Sequence, residues 1–402
     1  MTFSSASTST SCERQSAFVE WDHGARADVR NPRGGAAERV PCSVQDVTCD
    51  SANWMLGRRE VRNIRSTLGA CSNRPTGLTS GAASWRNILL IYRPSTVSDV
   101  DTVLSCRVTE PISWVTPERY QQELASGSYR PQWTWLAEDK GELVGRAVWW
   151  APAGREFPMA LDCLWVADDV TDRSAVATAL LQAGHAGLQD GYAQKPPDYE
   201  VDLDPRWRDR ADVAAAFAWR QEAAQRAGLT HTLERLSFAW TPQDGIPDQS
   251  PRLRFTTEST DEVFLQAFAR VAEGSLDDLT RRNVAALGAQ AQAREDFDFY
   301  LDLPGERSWW RLAHTAEGEF VGLAIPSRSA YNASVSYLGV VPKHRGHGYV
   351  DDLLAEITRQ HADNGAPRIT GTTDTTNAPM AAAFTRSGYT CTGVRMVLSA
   401  TT

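Results

Sequence analysis

Two stretches of this chain carry nearly the same wording, and that recurrence constrains the fold more than any other feature. Leu136 and Ala137 precede Gly141, Glu142, Leu143, Val144 and Gly145; Leu312 and Ala313 precede Gly318, Glu319, Phe320, Val321 and Gly322. Each stretch places two apolar runs around a polar, glycine-bearing turn, which is a β-hairpin signature. The order of the later elements also recurs. After the first hairpin, ALDCLWVAD predicts a strand, SAVATALLQAGHAGL a helix, PDYEVDLDP a strand, AAFAWRQEAAQRAG a helix and ERLSFAW a strand. After the second, SVSYLGVV predicts a strand, YVDDLLAEITRQHA a helix, PRITGTTD a strand, APMAAAFTRSG a helix and CTGVRMVLS a strand. Both final helices end alike, at Arg226-Ala227-Gly228 and Arg386-Ser387-Gly388. A period of roughly 165–175 residues is too long for a solenoid. It implies two copies of one mixed α/β domain, divided as residues 86–249 and 250–402. Residues 1–85 read differently: Ser, Thr, Gly and Arg dominate, and apolar periodicity is missing. Such a segment buries too little surface to offset its ordering entropy, so a poorly ordered extension is expected there.

Charge and composition remove several function classes. The chain holds 41 basic and 50 acidic residues, a formal net charge of -9, and general affinity for nucleic acid or an anionic membrane needs the opposite balance. No apolar run reaches the ~18 residues a membrane span requires. No basic head followed by an apolar stretch marks a secretory leader. A cytoplasmic protein without nucleic-acid or membrane partners is the expectation, as a monomer or homodimer. The seven cysteines form no CxxC pair, and their gaps match no zinc spacing, so no metal is expected.

The stretch with the most chemistry is LGVVPKHRGHGYVDDLL, Leu338 to Leu354. An apolar strand ends at Pro342; Lys343, His344, Arg345 and His347 then crowd a turn with Gly346 and Gly348. A helix follows at once, with Val350, Leu353, Leu354 and Ile357 on one face. A helix start offers unpaired N–H groups and partial positive charge to an anion. Glycines let the backbone approach closely, and the cations add local charge. The pattern is neither GxxxxGK[ST] nor a dinucleotide GxGxxG, since Asp351 stands at the third glycine position.

These residues resemble the pyrophosphate loop of the GNAT acetyltransferase superfamily, Arg/Gln-x-x-Gly-x-Gly/Ala after a strand ending V-x-P. In this chain Val340-Val341-Pro342 precedes Arg345-Gly346-His347-Gly348-Tyr349-Val350, with Val350 replacing the final small residue. The family's downstream pattern Asn-x-x-Ala, Tyr at +7 and Gly-Phe is matched by Asn377, Met380, Phe384, Gly388 and Tyr389. The resemblance implies two tandem GNAT-like domains, each a mixed, mostly antiparallel central sheet flanked by helices. In the N-terminal copy, WVADDVTDRSAVATALL stands where the loop belongs, without glycine and with Asp168, Asp169 and Asp172; that copy is degenerate for coenzyme binding. Tandem proteins with one working half include mycothiol synthases and antibiotic-pathway proteins.

What the resemblance implies for function is transfer of an acetyl group from acetyl-CoA, as co-substrate and without a metal, to a primary amine of a small molecule. Gly339, Val340 and Val341 would pair with the pantetheine arm, and Arg345, Gly346, His347, Gly348, Tyr349 and Val350 would hold the pyrophosphate. Asn377 would contact the coenzyme, or cap the helix that follows it. Asp374 would relay the amine proton, or serve as a turn residue before Asn377. Tyr337, like Tyr331, would orient the acceptor or supply a proton, or pack in the core. Phe384 has no hydroxyl, so the family's acid role at that position does not carry over. A non-catalytic acyl-CoA-binding protein and a mycothiol-synthase-like enzyme are the alternatives.

Overall fold

The computed structural model describes residues 90–401, except 107, 113–114, 189–194 and 329–331. The expected extension at 1–85 and the candidate Tyr331 lie outside the described residues. Apolar runs make the strands, and side-chain caps set some of the helix starts. Thr116, for example, accepts a hydrogen bond from the Arg119 N–H at 3.2 Å and Pro117 follows as the first residue of α2 (Pro117–Ser126), both preferred helix-start features. The first hairpin joins β2 (Thr134–Asp139) to β3 (Glu142–Trp150), and the second joins β8 (Arg311–His314) to β9 (Phe320–Arg328).

Among the described residues one mixed sheet of 12 strands runs β1-β2-β3-β4-β5-β12-β6-β11-β10-β9-β8-β7. The outer strands are β1 (Ile91–Pro94) and β7 (Arg254–Thr256); β4 (Ala160–Val166) lies beside β5 (Asp198–Leu203), and β10 (Ala333–Val340) beside β11 (Ile369–Asp374). Those two pairs are parallel and all other neighbours antiparallel. Helices α3 (Arg173–Leu188) and α4 (Ala211–Arg226) pack in the first half. The second half carries α5 (Asp261–Ala272), α6 (Asp278–Leu287), α7 (Ala289–Asp302), α8 (Tyr349–Asp363) and α9 (Ala378–Arg386). A short α1 (Val100–Ser105) precedes α2.

The strand order is palindromic except at the centre, where the closing strands have changed places. β6 (His231–Trp240) ends the first half in sequence but lies between β11 and β12; β12 (Thr390–Ser399) ends the second half but pairs with β5. The cores follow the exchange. Val394, Met396 and Leu398 of β12 are buried with Trp149, Leu180 and Phe217 of the first half. Phe238 and Trp240 of β6 are buried with Leu353, Ile357 and Phe384 of the second. One row of charged residues crosses the junction, register partner by register partner: Asp202, Arg395, Arg235, Asp374. Like charges directly opposite are destabilising, and each arginine has its own carboxylate. Arg395 meets Asp202 at 2.7 and 3.1 Å and Glu200 at 3.1 Å, while Arg235 lies 3.4 Å from Asp374.

One buried base gives the first core an acid sensitivity. His185 on α3 packs edge-on against Trp149 with ring centroids 5.9 Å apart, and its Nε2 has no hydrogen-bond partner. Burial pushes its imidazole down to about 4. The unfolded chain takes up a proton below about pH 6.5 while the folded chain does not. Stability is therefore fully present above that pH and is lost on acidification, by about 1.4 kcal/mol per pH unit, until the folded value is reached. Urea unfolding between pH 7 and 4.5 checks this; His185→Leu is expected to flatten that part of the slope.

Candidate active site

The parallel strands β10 and β11 pair only where Ala333, Ser334 and Val335 face Ile369, Thr370 and Gly371. A bulge at Ser336 shifts the register of β10 on β9, and bulges re-aim a strand and its side chains. Beyond Val335 no further pairs join β10 to β11. A cavity of about 1000 Å³ opens there, walled by Tyr337, Leu338 and Gly339 on one side and by Thr372 and Thr373 on the other. Gly339 admits α5: a Cβ at this position would lie 2.1 Å from Val271.

The cavity runs to the turn before α8. Gly346 and Gly348 adopt φ of +80° and +75°, a region that costs other residues roughly 1–2 kcal/mol. Gly348 is the N-cap of α8 and contributes no side chain, so nothing caps the helix start. The N–H groups of Tyr349 and Val350 have no intrahelical acceptor and lie at the positive end of the helix dipole. Asp351 and Asp352 in the first turn would oppose an anion, but both are paired, Asp351 with Arg386 at 2.7 Å and Asp352 with Arg252. Arg252 also donates to the carbonyls of His347 and Gly348, at 2.9 and 3.2 Å.

Arg345 points away from the helix start. Its guanidinium donates to the carbonyls of Val340 (2.9 Å), Gly274 (2.6 Å), Val271 (2.9 Å) and Glu273 (2.8 Å). It therefore ties the turn to the end of α5, where a cation suits the helix dipole. The His347 Nδ1 lies 3.0 Å from the Arg345 carbonyl. Tyr349 and Val350 line the cavity, as do Val340, Arg345, Gly346 and Gly348; Val341 and His347 do not. Val341 is buried against α5. Asn377 lines the cavity at the start of α9 and makes no side-chain capping bond.

Asp374 is 1% exposed and does not line the cavity. Its Oδ2 accepts the Asp278 backbone N–H at 2.7 Å at the start of α6, and its Oδ1 faces Arg235. Burial, then the nearby Asp277 carboxylate, raises its pKa against the lowering pull of Arg235. Tyr337 does line the cavity, in an aromatic group with Phe268 and Tyr300 at centroid distances of 5.0 and 5.3 Å. Burial first, then Asp296 and Tyr300, pushes its phenol well above 10, so it is a hydrogen-bond donor at neutral pH. Phe384 stacks on Phe238 at 4.7 Å and meets Tyr389 at 5.1 Å, which fixes its ring in the core.

The sequence did not point to the α7 part of the remaining wall. Gln292, Asp296 and Tyr300, four residues apart on α7, line it, joined by Trp150 and Met159 of the first half and by Arg395 of the exchanged strand. The spacing was visible, but α7 is polar enough to read as a solvated helix.

The start of α3 in the first half is occupied by a side chain. The Asp172 carboxylate accepts the Ala175 N–H at 2.9 Å, occupying the site an anion would take. Glu110 pairs with Arg173 and with the buried Arg220 nearby. Among the described residues no group of three or more His, Cys, Asp or Glu is placed to hold a metal, and no helix is long and apolar enough to cross a membrane.

No curated protein matches the chain. Three solved structures illustrate its similarities. A GCN5-related N-acetyltransferase from Sphaerobacter thermophilus is 17% identical over 77% of this chain and 94% of its own, with a TM-score of 0.46. A tandem GNAT protein from the clavulanic acid biosynthesis pathway is 18% identical over 78% and 99%, with a TM-score of 0.40. A GNAT-family acetyltransferase from Colwellia psychrerythraea is 12% identical over 72% and 98%, with a TM-score of 0.39. The family match itself runs from just before α6 to just before β12 and covers the glycine turn and Asn377: residues 276–389 match the model of the acetyltransferase (GNAT) family.

Proposed function

We propose that the protein transfers an acetyl group from acetyl-CoA to a primary amine of a small molecule, using the second half of the chain. The observation that carries this reading is the opening between β10 and β11, which leads to an uncapped helix start behind Gly346 and Gly348. The transfer forms a C–N bond, breaks the thioester C–S bond and moves one proton from the amine to the departing thiolate. Backbone N–H groups released where β10 leaves β11 suit the thioester carbonyl as donors. The glycine turn and the start of α8 suit the pyrophosphate, and the uncommitted Asn377 amide suits the coenzyme. Tyr337 keeps its proton and donates a hydrogen bond at the reacting end. Asp374 positions α6 from behind the cavity wall. The acceptor enters between α6–α7 and the Trp150 and Met159 side of the first half.

Release of free thiol from acetyl-CoA, measured with the full chain over a panel of primary amines, tests the reading. Amine-dependent release is expected. Coenzyme binding without release for any amine would favour a non-catalytic binder, the reading that Phe384, locked in the core without a hydroxyl, supports. Gly348→Val is expected to weaken coenzyme A binding about 10-fold, because a β-branched residue at positive φ loses roughly 1–2 kcal/mol or rearranges the turn. Calorimetry with coenzyme A measures it, and unchanged affinity would remove this helix start from the site.

A further inference from the structure

The α7 wall of the cavity buries a hydrogen-bond acceptor that no donor meets. Gln292 is 1% exposed and Asp296 5%. The Gln292 amide donates to Asp296 Oδ1 at 2.8 Å, and its own Oε1 has no hydrogen-bond partner. A buried unsatisfied acceptor carries an uncompensated desolvation cost, which a donor-bearing ligand would offset. The surroundings favour a cation. Asp277 stands at the start of α6, and Glu295, Asp298 and Asp302 lie along the same helix wall. Of the arginines in the lining, Arg235 pairs with Asp374, Arg395 with Asp202 and Glu200, and Arg345 donates to backbone carbonyls. Arg155 and Arg328 are exposed. The rings of Tyr300 and Tyr337, 5.3 Å apart, add aromatic surface of the kind that attracts ammonium groups.

A carboxylate beside an ammonium raises its pKa and holds the proton on. The nitrogen that attacks a thioester must be free of that proton. The carboxylate wall therefore suits a nitrogen other than the reacting one. Resting on the acetyltransferase reading of this site, we propose that the acceptor carries a second cationic nitrogen, held by Asp296, Gln292 and Tyr300, so that the substrate class is diamines rather than simple alkylamines or amino acids.

The test titrates 1,4-diaminobutane, butylamine and 4-aminobutanoate into the full chain without coenzyme, and then measures thiol release from acetyl-CoA with each. The diamine is expected to bind ~10–100-fold more tightly than butylamine, the factor expected of one charged hydrogen-bonded contact, and 4-aminobutanoate least. Asp296→Asn is expected to collapse the diamine-to-butylamine ratio. Gln292→Leu, an apolar replacement at a buried site, is a second variant expected to reduce the ratio several-fold, and it serves if the first does not fold. Equal affinities for diamine and butylamine in the wild type, or a ratio unchanged in a folded variant, would overturn the proposal. Tight diamine binding without thiol release would support the second-cation site and instead sink the transferase reading.

Discussion

Replacing Arg345 with glutamate is expected to weaken coenzyme A binding about 100-fold or more and to lower the melting temperature of the same variant. The four carbonyls that Arg345 engages belong to β10 and to the end of α5. Hydrogen bonds to a charged group contribute about 1.5–3 kcal/mol each in favourable settings, and loss of ~3 kcal/mol in the binding-competent conformation is already a factor of ~100. Glutamate would set a carboxylate against carbonyl oxygens and against the negative end of a helix. The glycine turn would then move, taking the start of α8 with it. Calorimetry and thermal melts on one preparation separate two mechanisms. An arginine that met the pyrophosphate directly would, on mutation, cost affinity with little change in melting. An arginine that holds the turn costs both, and an unchanged melt would exclude that holding role for Arg345.

The second large effect is expected at the sheet junction. Asp374→Ala should destabilise the protein by about 3–5 kcal/mol, the range for removing one partner of a buried ion pair. Arg235, 7% exposed, loses the Asp374 carboxylate, and the Asp278 N–H at the start of α6 loses its acceptor. Arg235→Leu combined with Asp374→Leu should recover much of the loss, since apolar replacement of both partners removes both buried charges together. Denaturant midpoints for the two single variants and the double variant measure the coupling; additive single losses would mean the pair does not act as a unit. Asp374→Asn preserves the shape and the acceptor for α6. A proton relay at this position would flatten the pH profile of kcat/KM in that variant. Burial behind the cavity wall predicts instead that the profile keeps its shape.

Much of the fold was legible because its signals are local. Alternation marks both hairpins, and a cap or glycine marks many of the helix ends. The exchange of β6 and β12 was not legible. Which strand a strand pairs with depends on residues far away in the chain, and both closing strands follow near-identical endings, Arg226-Ala227-Gly228 and Arg386-Ser387-Gly388. The cavity shows the same limit. The spacing of Arg345, Gly346 and Gly348 located a helix start, and both glycines take the positive φ such a turn requires. It could not say where the guanidinium points, because three of its four carbonyl partners lie about 70 residues away, at the end of α5. Asp374 likewise ends a recognisable strand, but the arginine beside it comes from β6, a neighbour only because of the exchange.

The exchange also fixes an order of events during synthesis. β12 leaves the ribosome after every other described strand, yet three of its side chains, Val394, Met396 and Leu398, belong to the core of the first half. That half is translated early but cannot close its sheet until translation is nearly complete. β6, waiting beside it, gains its neighbours β11 and β12 only late as well. A nascent chain of this protein thus exposes two open sheet edges through most of its elongation, and open edges are templates for mispairing. A stop codon just before Thr390 would accordingly leave the first half, complete in its own sequence, without the strand that seals it.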